Sequence, residues 1–101
     1  MQKRRIKMIK HIVMWKFKEG TEEKQKEFLA GLRGLLGVIP EIKSLTAAEN
    51  SNPKANYDAV LITEFETMDD LEKYQNDPRH IAVASICREI ATERAAVDFE
   101  M

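Results

Sequence analysis

Residues 9–18 read Ile9-Lys10-His11-Ile12-Val13-Met14-Trp15-Lys16-Phe17-Lys18. The run is dense in strand formers, and side chains on a strand alternate between its two faces. Ile9, His11, Val13, Trp15 and Phe17 therefore share one face, and Ile12 and Met14 share the other. Both faces are apolar enough to need cover, so this strand belongs inside a structure with something on each side of its sheet.

After the strand, Gly20 breaks the run, Thr21 can cap a helix, and Glu22 and Glu23 suit the positive N-terminal end of one. Phe28, Leu29, Leu32, Leu35 and Leu36 follow helical spacing and predict an amphipathic helix to about residue 36. Gly31, Gly34 and Gly37 recur within it; they either permit close backbone approach or fray the helix early. A second strand is expected near 42–49, a polar loop over 50–56, and a third strand over 57–66, where Val60, Ile62 and Glu64 alternate against Ala59, Leu61 and Phe65. Thr67 can cap a short helix that stops before Pro78. Asp77 as N-cap with Pro78 in the first helical position then starts a third helix through about Ala91, with Val83, Ile86, Cys87 and Ile90 inward. Ala95 to Glu100 completes the pattern as a last strand.

Strand, helix, strand, strand, helix, strand is the order of a ferredoxin-like α+β fold, a four-stranded antiparallel sheet with helices on one face. The other face would carry Ile12, Met14, Val60, Ile62, Val97 and Phe99. A patch of that size predicts a homodimer formed through the exposed sheet face.

Composition restricts the function classes. The chain has 101 residues, 44% of them hydrophobic, enough for one modest core. Seven Lys or Arg and no acid fall in residues 1–18, whereas the remainder carries nine against seventeen Asp or Glu. Residues 1–7 read as a basic, disordered N-terminal extension ahead of one domain over 8–101, and Met8 offers a second start. A short basic tail without a basic groove does not predict nucleic-acid binding. No run approaches the roughly 18 apolar residues that span a bilayer, and the lone Cys87 cannot form an intramolecular disulfide, so a cytoplasmic protein with no membrane partner is expected.

The chemistry-bearing stretch is Tyr74-Gln75-Asn76-Asp77-Pro78-Arg79-His80, a phenol and an imidazole around a helix break. In the first turn of the third helix, His80 meets the positive dipole end, which favours its neutral, basic form. Tyr74 and His80 either transfer and orient a proton or merely satisfy each other and nearby backbone. His11 reads as a hydrogen-bonded core histidine or as a third polar group of one cavity. Asp98 either orients a histidine or stays an exposed carboxylate. Two histidines with scattered acids lack the close spacing of a metal site, and no cofactor is expected. Cys87 looks like a small buried filler, and Trp15 like core or pocket wall.

The first-strand run, Tyr57-Asp58, Phe65-Glu66, Tyr74-Gln75, Pro78-Arg79-His80 and Val97-Asp98-Phe99 occur in an order that resembles the stress-responsive A/B barrel, or Dabb, family over about residues 8–100. The resemblance implies a dimeric α+β barrel with a small-molecule cleft between sheet and helices. Its lining would come from His11 with Val13 and Trp15, from Phe28 and Leu32 of the first helix, from Ala59 and Leu61 of the third strand, and from Asp98. Most members have no assigned activity. One plant branch closes a linear polyketide by intramolecular aldol condensation, and its acid/base tyrosine and histidine match Tyr74 and His80, with its first-strand histidine matched by His11. Asp77 and Ala59 stand where that branch has further histidines. Whether the chain is an enzyme stays open. The expected function is a small-molecule-binding homodimer or a cofactor-independent cyclase or lyase. More distant readings are a monooxygenase-like or haem-degrading dimeric barrel, and a structural dimer with a plugged cleft.

Overall fold

A computed structural model describes residues 7–101 of the chain; of the basic extension only Lys7 falls within it, and the rest of that expectation lies outside the described residues. Seven elements follow one another: β1 (Ile9–Phe17), α1 (Glu22–Arg33), β2 (Ser44–Glu49), β3 (Ala59–Phe65), α2 (Met68–Asn76), α3 (Pro78–Ile90) and β4 (Ala91–Glu100). The strands form one antiparallel sheet in the order β2-β3-β1-β4. This is the ferredoxin-like α+β arrangement that the element order predicts.

Register turns the alternation of β1 into two distinct surfaces. Ala47, Leu61, Val13 and Ala96 align across the sheet on the face toward the helices, and Thr63, His11 and Asp98 form the neighbouring row. Val13, Leu61, Ala47, Phe65 and Trp15 are buried there with Phe28, Leu29, Leu32, Leu71, Tyr74 and Ile90. Trp15 meets Phe28 edge to face with ring centroids 4.9 Å apart, which anchors α1 on the sheet. On the opposite face Ile62, Ile12 and Val97 align, as do Val60, Met14 and Ala95. Val97 is 54% exposed and Phe99 38%, so this apolar face lies open in the protomer.

Local chemistry explains where the helices start. Thr67 Oγ1 accepts the Asp70 amide at 3.0 Å, and Asp77 Oδ1 accepts the Arg79 amide at 2.8 Å, so two short-range caps set the α2 and α3 boundaries. Thr21 precedes α1 without capping it; its hydroxyl donates to the Lys18 carbonyl instead.

β2 and β3 are each shorter than expected by two or three residues, and two boundaries differ from the sequence expectation by about three residues or more. Helix α1 ends at Arg33 rather than near 36. The Leu35 amide reaches only three residues back to Leu32, and Gly37 adopts φ +86°, a left-handed conformation favoured at glycine. Leu35 turns inward while Leu36 is 46% exposed. Gly31 alone serves close approach, since a Cβ there would lie 3.1 Å from a Val83 methyl on α3. Strand β4 begins at Ala91 instead of Ala95, because α3 passes into it without a loop and pairing with β1 extends back to Phe17. Among the described residues no helix is long and apolar enough to cross a membrane.

Candidate functional site

Helix α2 ends at Asn76 and α3 begins at Pro78, and both border the space above the inner sheet face, α2 through Tyr74 and α3 through His80. A cavity of about 270 Å³ opens there. That volume lies just under the lower end of ordinary small-molecule sites, about 300 Å³. Of the residues expected to line a cleft, the cavity brings together His11, Val13 and Trp15 from β1, Phe28 and Leu32 from α1, Leu61 from β3, Tyr74 from α2 and His80 from α3. Ala59 does not border it; buried opposite Trp15, it faces a separate depression with Met14, Tyr57 and Val60. Asp98 is also outside the lining and reaches the site through His11.

Three rings form the polar heart of the cavity. Tyr74 and His80 have centroids 4.3 Å apart at 46°, and His11 stands 6.3 Å from Tyr74. Tyr74 is fully buried, and its hydroxyl has no hydrogen-bond partner among the described residues. Burial pushes that phenol well above its ordinary pKa, only partly opposed by the Arg94 charge, so it stays protonated and able to donate. The Trp15 indole N–H is likewise buried without a partner.

The two histidines are held differently. His11 Nδ1 lies 2.5 Å from Asp98 Oδ1 across the β1–β4 pair, so the edge-strand carboxylate accepts from the ring and Nε2 is the nitrogen left for other partners. His80 Nδ1 donates to the Gln75 carbonyl at 3.3 Å, which leaves the Nε2 lone pair of the neutral ring unengaged. Burial lowers the His80 pKa, the Gln75 bond partly offsets this, and the charges of His11 and Arg94 lower it further. The position of His80 at the N-terminal end of α3 acts in the same direction.

Asp77 is engaged away from the cavity. Besides capping α3 it pairs with the Arg79 guanidinium at 2.8 Å, and Arg79 hydrogen bonding holds its carboxyl down to about 2. It contributes nothing to the cavity lining.

Four lining residues escaped the sequence reading: Ala84, Cys87, Arg88 and Arg94. Ala84 and Arg88 follow His80 at successive intervals of four on α3, so helical spacing from His80 would have found that stripe. Arg94 was lost with the late start assigned to β4. Counting back in twos from Asp98 through Ala96 places Arg94 on the helix-facing side, opposite Trp15. Among the described residues no group of three or more His, Cys, Asp or Glu is arranged to hold a metal ion.

Comparison with known proteins agrees with this architecture. The family model of the stress responsive A/B barrel domain matches residues 9–101. An uncharacterized protein of Streptomyces coelicolor is 32% identical over 89 residues, covering 84% of this chain and 92% of that protein. Olivetolic acid cyclase of Cannabis sativa is 26% identical over 84 residues, covering 79% and 83% respectively. A dimeric protein of unknown function and ferredoxin-like fold from Bacteroides fragilis superposes with a TM-score of 0.86 at 32% identity, over 93% of this chain and 96% of that one. The match of family model, sequence and fold across nearly all the described residues means that the chain belongs to the stress responsive A/B barrel domain family.

Proposed function

We propose that the protein is a homodimer whose cleft binds a small carbonyl compound and performs cofactor-independent acid–base chemistry on it, of the cyclase or lyase kind. The observation that carries this reading is the buried, unpartnered Tyr74 hydroxyl beside a His80 ring whose Nδ1 is committed to Gln75. A hydroxyl serving only the fold would have a partner, because burying one unmade costs about 1–3 kcal/mol. Placed against a ligand carbonyl, the same hydroxyl is a preorganised donor.

In this reading His80 Nε2 takes a proton from the carbon next to a carbonyl, and Tyr74 O–H stabilises the charge that grows on the carbonyl oxygen. The enolate carbon then attacks a second carbonyl of the same molecule, forming the ring bond, and the imidazolium returns its proton to the new alkoxide. His11, held by Asp98, positions the substrate from the sheet side. Similarity to olivetolic acid cyclase supports the reaction class, while Asp77 and Ala59 argue for a different substrate.

Dimerisation would proceed through the face bearing Ile12, Ile62, Val60 and Val97, in agreement with the Bacteroides fragilis relative being dimeric. A free, buried Cys87 suits residence in the reducing cytoplasm. The test is conversion of a linear β-polyketide thioester by wild type, Tyr74→Phe and His80→Ala, followed by mass spectrometry. Cyclised product from wild type with its loss in His80→Ala is expected; equal conversion by the two overturns His80 as the base.

A further inference from the structure

The cavity is lined by two arginines and by no acid. Arg94 enters from β4 opposite Trp15, and Arg88 from α3 two turns beyond His80. Neither guanidinium makes an ion pair or hydrogen bond among the described residues, although Lys10, Lys16, Lys24, Lys73 and Arg79 are all paired with acids. No carboxylate lines the cavity, and Asp98, the nearest acid on the same strand face, is already taken by His11. Tyr74 and Trp15 line the same cavity, and their O–H and N–H are buried beside it without acceptors among the described residues. Arg94 borders the same cavity as Tyr74, His80 and Cys87.

We propose that the natural ligand is a carboxylic acid bearing a ketone, its carboxylate bound by Arg94 with Arg88 beside it and its carbonyl directed to Tyr74. A guanidinium matches a carboxylate through two parallel N–H bonds and is the side chain suited to that planar recognition. Both arginines are exposed where they border the cavity, so a ligand carboxylate can reach Arg94 there and supply the acceptor that the lining lacks. The remaining apolar wall, Val13, Phe28, Leu32 and Leu61, takes the aliphatic or aromatic body of the molecule.

This assignment names the substrate class for the site proposed above, and it is tested without turnover. Trp15 is the only tryptophan and lines the cavity, so its fluorescence reports occupancy. Titration with 3-oxooctanoate and with its methyl ester compares charged and uncharged ligands of nearly equal size. The acid is expected to bind at least about tenfold tighter, because only it makes a charge-assisted contact with the guanidinium. Arg94→Gln should bring the acid down to the level of the ester, Arg94→Lys should retain part of the preference, and added salt should weaken the acid selectively. Equal affinity for acid and ester in wild type, no saturable binding of the acid, or a preference that survives Arg94→Gln overturns the proposal. A failed acid–base reading would leave the charge preference intact, and a failed charge preference would leave conversion of a neutral thioester intact, so the two outcomes are separable.

Discussion

Asp98 Oδ1 lies 2.5 Å from His11 Nδ1, so an edge-strand carboxylate fixes the ring of a histidine that is only 3% exposed. Removing the acid leaves a buried imidazole nitrogen unpaired. Asp98→Ala should therefore destabilise the fold by about 1–3 kcal/mol, and Asp98→Asn, whose side-chain oxygen still accepts from Nδ1, should recover part of it. Urea unfolding monitored by circular dichroism measures both.

Tyr74 gives the opposite signature. Because its hydroxyl is buried without a partner, Tyr74→Phe should leave stability unchanged or raise it by about 1 kcal/mol. The same variant should lower turnover of a β-polyketide about a hundredfold, the usual cost of one oxyanion donor. A variant that loses both stability and turnover would instead make Tyr74 a structural residue.

The His80 pKa sets a pH dependence of definite sign. Burial holds the folded imidazole below its ordinary 6.5. The neutral ring's contribution to stability is thus fully present above 6.5 and is lost as pH falls through the lower folded value. Turnover should rise along an acid limb whose midpoint lies below 6.5, and His80→Gln should abolish turnover and remove that residue's share of acid destabilisation.

On the open sheet face, Ile62 and Val97 flank Ile12 across the sheet. Ile62→Glu places a charge in the middle of that apolar patch while pointing away from the core. Sedimentation equilibrium at micromolar concentration should show wild type as a dimer and the variant as a folded monomer. A dimer that persists would locate the interface elsewhere.

Close packing of α1 on α3 depends on Gly31, where a Cβ would already meet Val83 at 3.1 Å. Gly31→Leu should cost about 1–3 kcal/mol by overpacking despite the better helix propensity of leucine. Thermal unfolding would register it as a lowered Tm.

The strands that carry the core were legible because their two-residue alternation is complete: β1 and β3 bury every second side chain, and His11, Val13 and Trp15 fall where that period places them. The α2–α3 break was equally readable, since Asp77 and Pro78 act through bonds to their immediate neighbours. What local pattern could not show was the first part of β4. Thr92-Glu93-Arg94 is polar because its inner side walls a cleft rather than the core, and it is a strand because β1 pairs with it from far along the chain. The end of α1 was overshot for a related reason: Leu35 and Leu36 continue the helical spacing, yet only Leu35 is buried, in a turn beyond the helix. Arg88 and Arg94 were missed together, charged residues whose lack of a partner appears only once the tertiary structure is known.

Helix α3 runs into β4 without a connecting loop, and between them they supply His80, Ala84, Cys87, Arg88 and Arg94 to one wall of the cleft. Most of that wall carries little of the hydrophobic core, which rests chiefly on β1, β3 and α1. In the proposed reading recognition and foldedness therefore reside in different parts of the chain, so the exposed wall can be rewritten for another guest while the scaffold beneath keeps its stability. Selection experiments that randomise Ala84, Arg88 and Arg94 would have an unusually wide share of folded variants from which to choose a new ligand.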